Sequence, residues 1–157
     1  MNHRARDDST INATWMKTIM QLKEIITSPV ETVGPESTLV DAAKTMLARD
    51  LGWLPVEEDG KIVGIITDRD IAIRGVAAGL DSKKTMVQDV MSRDVFSCSA
   101  DATVEDACTL MEEEQVRRIV VLDDEEGLVG IVSLADIAAQ TRGGQSAEVL
   151  KKVTEPS

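Results

Sequence analysis

Aromatic side chains are nearly missing from this sequence. Trp15, Trp53 and Phe96 are the whole set in 157 residues, and tyrosine is absent. A core must therefore be built from Val, Ile, Leu, Met and Ala. Histidine occurs once, as His3, and cysteine twice, as Cys98 and Cys108. Two thiols without a secretory signal do not suggest a disulfide framework. With a single histidine they also make a poor metal set, so both read as apolar fillers. Positive charge is short as well: 17 basic residues face 28 acidic ones, a net charge of −11. That argues against broad phosphate-backbone binding, which needs basic stripes. No apolar run approaches the roughly 20 residues that span a bilayer. No apolar segment follows Arg4 and Arg6, as a signal peptide would require, so the expected location is cytoplasmic and no membrane partner is expected.

What is present suits a globular core: 43 % of the residues are apolar and 29 % charged. The length fits one compact domain or two very small ones tightly joined. Residues 1–13 read as a flexible polar tail. Over Thr14 to Ile26, the residues Trp15, Ile19, Leu22 and Ile26 recur at helical spacing, and Pro29 ends the predicted helix.

Two long stretches then match each other. The first starts at Val30 and contains "GIITDRDI" (64–71); the second starts at Val95 and contains "GIVSLADI" (130–137). The offset is 65 up to Asp59 and Asp124, then 66 after one inserted residue, and thirteen positions are identical. Matches this regular over more than 40 positions are an internal duplication. The division that follows is 14–84 for a lead-in helix and first unit, 85–142 for a second unit, and 143–157 for a C-terminal tail in which "SAEVLKKV" reads as one more helix.

Each copy reads alike. A short strand (Thr32, Val33; Ser97, Cys98) precedes a helix that Thr38 or Thr103 caps, with Asp41 or Asp106 at the capping-box position. Leu39, Ala42, Ala43, Met46 and Leu47 are expected on one face of the first helix, matched by Val104, Ala107, Cys108 and Met111. Next come a buried strand, "WLPV" or "RIVVL", a turn, and a second strand, the two pairing as a hairpin. "TDRDIAIRGVAAG" and "LADIAAQTRG" read as helices, and "TMVQDVM" as a short lead-in helix of the second copy.

Gly64 and Gly130 sit inside strand patterns, where glycine marks a bulge or a close backbone approach. Thr67 and Ser133 follow, both good helix caps, with Asp70 and Asp136 three residues on. The plain reading is a cap whose aspartate complements the helix dipole. The functional reading uses the same geometry: a helix start with a hydroxyl suits phosphate, and the carboxylate suits a ribose diol. The second copy adds Arg117 and Arg118, a pair able to clamp phosphate oxygens or to balance Glu112, Glu113 and Glu114. The matching positions of the first copy are Gly52 and Trp53. Arg69, Arg74, Lys83 and Lys84 are further basic candidates.

With these motifs in view, the chain resembles a tandem pair of CBS domains, a Bateman module, over roughly residues 20–142. It also resembles the small stand-alone bacterial proteins built from only this pair. The resemblance implies an α/β (α+β) fold of two β-α-β-β-α units packed by their sheets about a pseudo-two-fold axis. It implies clefts that bind an adenosyl ligand: AMP, ADP, ATP, NAD or S-adenosylmethionine. The family's hydroxyl and carboxylate map onto Thr67 with Asp70 and onto Ser133 with Asp136. For the Ser133/Asp136 cleft the adenine side is expected from Ile26, Thr27, Pro29 and Glu31 and from Leu51 and Gly52. For the Thr67/Asp70 cleft it is expected from Val90 to Phe96 and from Val116. Trp53 stands where a basic residue would help hold phosphate, so Ser133, Asp136, Arg117 and Arg118 form the better nucleotide site.

No nucleophile–base pair, Walker loop or dinucleotide glycine motif is visible, so no enzyme activity is expected. The expectation is a regulatory module for energy sensing or signal transduction, with no required cofactor and an adenine nucleotide as its regulatory ligand. It is expected to act as a homodimer or through an effector protein. The alternative is a structural adaptor with empty clefts; nucleic acid is disfavoured by the charge.

Overall fold

The computed structural model describes residues 20–27 and 30–141. It is a mixed α/β structure of two compact units. One holds the first sequence copy, residues 30–95, with residues 125–128. The other holds residues 20–27, 96–124 and 129–141. Contacts thus draw the units differently from the sequence copies. Residues 20–27 lie with the second copy, and residues 85–95 with the first.

The first-copy unit is built on helix α1 (Leu39–Arg49) and the strands β1 (Trp53–Glu58) and β2 (Lys61–Thr67). The strands form the expected antiparallel hairpin, from Trp53 opposite Thr67 to Glu58 opposite Lys61. The two-residue turn is Asp59-Gly60, with φ of 52° and 79°. Positive φ at both positions matches the right-handed twist of the strands, which is why Asp-Gly closes this turn. Val33 adds one parallel bridge to Val56 where the sequence predicts a strand. After β2 come the single turn α2 (Asp68–Asp70), a π-helical turn over Ile71–Val76, and the short helix α3 (Val87–Val90). The single helix predicted over 67–79 is therefore broken by a wider turn. Buried Gly75 lies inside that turn, and a Cβ there would come within 2.8 Å of Leu39 Cδ1.

The second-copy unit repeats the plan with strand β3 (Ser97–Ser99), helix α4 (Val104–Glu114), strands β4 (Arg118–Leu122) and β5 (Leu128–Ser133), and helix α5 (Leu134–Thr141). Its sheet runs in the order β3-β4-β5, with β3 parallel to β4. The two long helices start on complete capping boxes. Asp41 and Asp106 N–H groups donate to the Thr38 and Thr103 hydroxyls at 3.2 and 3.1 Å. The threonine N–H groups donate back to the carboxylates at 3.4 and 3.0 Å. Each box satisfies two N–H groups that a helix start otherwise leaves open.

Two expectations need correcting. Of the five apolar residues placed on one face of α1, only Leu39, Ala42 and Met46 are buried. Ala43 is exposed and Leu47 is 84 % exposed, because the inward stripe is only one residue wide per turn. The described part of the predicted 14–26 helix is a single 3-10 turn at Leu22–Glu24, after which Thr27 forms a bridge to Ile131. Its amides are used elsewhere: Leu22 and Lys23 N–H donate to Ala102 and Ala100 carbonyls at 2.9 and 3.1 Å. Residues 14–19, Pro29 and the predicted helix at 146–153 lie outside the described residues.

The segment 20–27 acts as a strap over the second copy, and residues 85–92 act as the same strap over the first. Val87 and Gln88 N–H donate to Ser37 and Pro35 carbonyls at 2.8 and 3.0 Å, repeating the Leu22 and Lys23 bonds. Each strap ends by exchanging two backbone bonds with the last strand of its unit, β5 or β2. Thr27 and Ile131 pair at 3.0 and 3.3 Å, and Ser92 and Ile65 at 2.9 Å both ways. Gly130 and Gly64 stand next to these pairs. A Cβ on Gly64 would lie 2.6 Å from Met91 Sδ and 2.9 Å from the Ser92 carbonyl oxygen. One on Gly130 would lie 2.9 Å from Ile26 Cβ and 3.0 Å from the Thr27 carbonyl oxygen. Both glycines are therefore required by close approach, not by backbone angle.

Gly64→Ala and Gly130→Ala should each lower stability by about 1–3 kcal/mol, the usual cost of forcing atoms into a packed site. Gly34→Ala, whose Cβ would meet nothing nearer than 3.6 Å, should be near neutral. Thermal denaturation followed by circular dichroism checks both.

Candidate functional site

Each unit carries a second, smaller box at the end of its last strand, β2 or β5. In the first-copy unit, the Asp70 N–H donates to Thr67 Oγ1 at 3.0 Å and the Thr67 N–H donates to Asp70 Oδ2 at 2.9 Å. In the second-copy unit, the Asp136 N–H donates to Ser133 Oγ at 3.1 Å and the Ser133 N–H to Asp136 Oδ2 at 2.8 Å. All four residues are half-buried. The sequence forces this arrangement: a strand hands over to a helix at a hydroxyl, and the carboxylate three residues on reaches back to the cap.

The box fixes each aspartate without using it up. Only Oδ2 is engaged; among the described residues no hydrogen bond reaches Oδ1 of Asp70 or Asp136. A carboxylate with one oxygen held by backbone presents the other as an acceptor in a set direction.

A strand entrance is tied to each box. The Asp68 N–H donates to the Gly52 carbonyl at 2.9 Å, and the Leu134 N–H to the Arg117 carbonyl at 2.8 Å. Gly52 and Arg117 are equivalent in the duplication, so the structure gathers Thr67, Asp70 and Gly52 in one unit and Ser133, Asp136 and Arg117 in the other. Arg117 and Arg118 are exposed, Arg118 opening β4. Trp53 begins β1 opposite Thr67 and is buried.

The straps bring further predicted residues alongside. Half-buried Ile26 and exposed Thr27 lie against Gly130 and Ile131, two strand positions from Ser133. Met91 and Ser92 lie against Gly64 and Ile65, two positions from Thr67. Glu31, Leu51 and Gly52 belong to the first-copy unit, whereas Phe96 and Val116 belong to the second-copy unit. Glu31 is paired there with Arg49 at 2.8 Å, and the Leu51 N–H donates to the Met46 carbonyl at 2.9 Å. Pro29 lies outside the described residues.

Two side chains play parts that the sequence did not reveal. Arg74, a candidate for phosphate, instead donates to the Val90 and Met91 carbonyls at 3.1 and 3.4 Å, tying the π-helical turn to the strap. Asp68 stands over Gly52: a Cβ on that glycine would lie 3.4 Å from Asp68 Oδ2. The only signal for it in the sequence was the glycine itself, opposite an arginine in the other copy.

The cysteines behave as packing groups. Cys108 is buried in the core of its unit and Cys98 packs half-buried against it. Burial first, and the nearby Asp106 carboxylate second, push the Cys98 thiol above its ordinary pKa. Both disfavour the thiolate, which is the reactive form. Cys98 should therefore alkylate more slowly with iodoacetamide at pH 8 than a free thiol, and gain rate only in alkaline solution. Mass spectrometry of peptides from a time course reads this directly. Among the described residues no group of three or more His, Cys, Asp or Glu gathers to hold a metal, and no helix is long and apolar enough to cross a membrane. An acidic hollow of about 470 Å³ at Glu36, Glu57 and Glu58 is lined by residues of neither box.

Comparison with known proteins points the same way. The profile of the CBS domain matches residues 22–75 and 87–141. The chain is 40 % identical over 126 residues to the CBS domain-containing protein YhcV of Bacillus subtilis, covering 80 % of this chain and 89 % of that one. It is 36 % identical to Hypoxic response protein 1 of Mycobacterium tuberculosis, covering 85 % of this chain and 94 % of that one. Among solved structures, it resembles the CBS domain pair of protein MJ0100 in complex with 5'-methylthioadenosine and S-adenosyl-L-methionine. The TM-score is 0.68 and the identity 30 %, over 78 % of this chain and 95 % of that one.

Proposed function

The chain belongs to the CBS-domain family, and from that premise we propose a non-catalytic regulatory module that binds an adenosyl ligand at its Ser133–Asp136 and Thr67–Asp70 boxes. The observation that carries this reading is the pair of fixed aspartates, each with one oxygen held and the other open. A ribose diol is the fitting donor for such an oxygen. The adenosyl ligands in the related MJ0100 pair support the same class for this chain. Arg117 and Arg118 favour a phosphate-bearing ligand such as AMP, ADP, ATP or NAD at the Ser133 box, with Ile26 and Thr27 of the strap beside it. Both aspartates hold their own helix starts, a structural duty that suits binding better than proton shuttling.

Occupancy becomes a signal only if the ligand prefers one state of the protein. The proposed output is association, with a second copy or an effector protein. An apolar groove of about 300 Å³ on the first-copy unit supports this, lined by Leu39, Ala43, Leu47, Ile71 and Val76. Of these, Leu47 and Val76 are 84 and 66 % exposed. The equivalent of Leu47 in the second copy is Glu112, so the second copy carries a charge where this groove has its most exposed leucine.

Thermal shift with AMP, ADP, ATP, NAD and S-adenosylmethionine tests the binding. A ligand at a hundredfold excess over Kd adds about 2.7 kcal/mol, which raises Tm by roughly 5–10 °C in a chain of this size. Asp136→Ala should abolish the response to the nucleotide. No shift with any of the five would leave the adaptor reading, in which the boxes only cap helices. For association, light scattering after size exclusion should give a dimer, and Leu47→Glu should shift it towards monomer.

A further inference from the structure

We propose that the two boxes accept adenosyl ligands of opposite 5' charge, and that Asp68 makes the Thr67–Asp70 box select an uncharged or positive 5' substituent over a phosphate. The inference rests on the ligand-binding reading above and adds which chemistry each box takes. The two joints are equivalent residue for residue. In each, the N–H that follows the capping hydroxyl donates to the strand-entrance carbonyl, at 2.9 Å from Asp68 to Gly52 and 2.8 Å from Leu134 to Arg117. Their charge is inverted: glycine and aspartate in one, arginine and a buried leucine in the other.

The Asp68 carboxylate fills the position that a side chain at residue 52 would enter, with Oδ2 3.4 Å and Cγ 3.8 Å from a Cβ built there. It is held in place by the Arg69 N–H, which donates to Oδ1 at 2.8 Å, and among the described residues it forms no ion pair. It is exposed to solvent, and so open to a ligand. Arg74, in the turn that follows, is committed to the Val90 and Met91 carbonyls. A phosphate here meets two carboxylates, Asp68 and Asp70. A sulfonium or ammonium group meets the same two with attraction. At contact distance near the surface such a change of sign is worth about tenfold or more in affinity.

The test is isothermal titration of the full chain with AMP and with S-adenosylmethionine, which share the adenosine and differ in 5' charge. Asp136→Ala removes the Ser133 box and leaves the Thr67 box to be read. That variant should bind S-adenosylmethionine at least about tenfold more tightly than AMP. Adding Asp68→Asn should collapse the ratio towards one. The ratio, unlike either constant alone, is insensitive to a general loosening of the helix start. Equal or tighter binding of AMP to Asp136→Ala overturns the inference, as does an unchanged ratio after Asp68→Asn. It also falls if Asp136→Ala binds neither ligand while Asp70→Ala still binds AMP, and in that case the general reading survives. Loss of both ligands in the wild type sinks the general reading and the inference together.

Discussion

Two pairs of backbone hydrogen bonds organise this protein: Thr27 with Ile131, and Ser92 with Ile65. Each pair joins a strap to the middle of β5 or β2, and each needs a residue without a side chain beside it. Gly130 and Gly64 meet that need. Ile131 and Ile65 thereby have their backbone N–H and C=O groups paired on the flank that faces away from the hairpin partner. The strap also carries apolar residues inward: Leu22 and Ile25 over one core, Val87 and Val90 over the other. The end of the strand, where the hydroxyl and aspartate sit, is thereby held by neighbours that do not depend on a ligand.

The same scaffold carries different chemistry in its two copies. The boxes agree to within 0.1 Å in their hydrogen bonds, yet the side chains at the strand entrance differ in size and sign. Duplication conserves what the backbone needs, which is caps, glycines and buried aliphatics. It leaves free what faces a ligand. The capping box contributes to both: its cost in unsatisfied amides is removed whether or not a ligand is present, and it sets the direction of the open carboxylate oxygen.

Much of this was legible in the sequence because local physics sets it. Thr38 with Asp41 and Thr103 with Asp106 announced the helix starts, and Asp59-Gly60 announced the hairpin. Comparing the copies isolated Thr67, Asp70, Ser133 and Asp136. What remained hidden depended on which distant segments meet. Helical spacing from Trp15 to Ile26 suggested a helix, but at Leu22 and Lys23 the amides answer to Ala102 and Ala100 instead. Spacing also placed Ala43 and Leu47 with the core, when only part of that stripe has anything to pack against. The π-helical turn and the place of Asp68 over Gly52 follow from packing that no short window contains.

The straps are out of phase with the repeat, and this sets an order of assembly during synthesis. The first-copy unit closes within a nearly unbroken stretch: Ile65 and Ser92 are only 27 residues apart. The second-copy unit must join Thr27 to Ile131, across 104 residues. As the chain emerges from its N-terminus, Leu22 and Ile25 are made among the first core residues, and their strand among the last. One half can be complete while the other still waits with its strap unmatched, so the slow, long-range closure falls to the unit that bears Arg117.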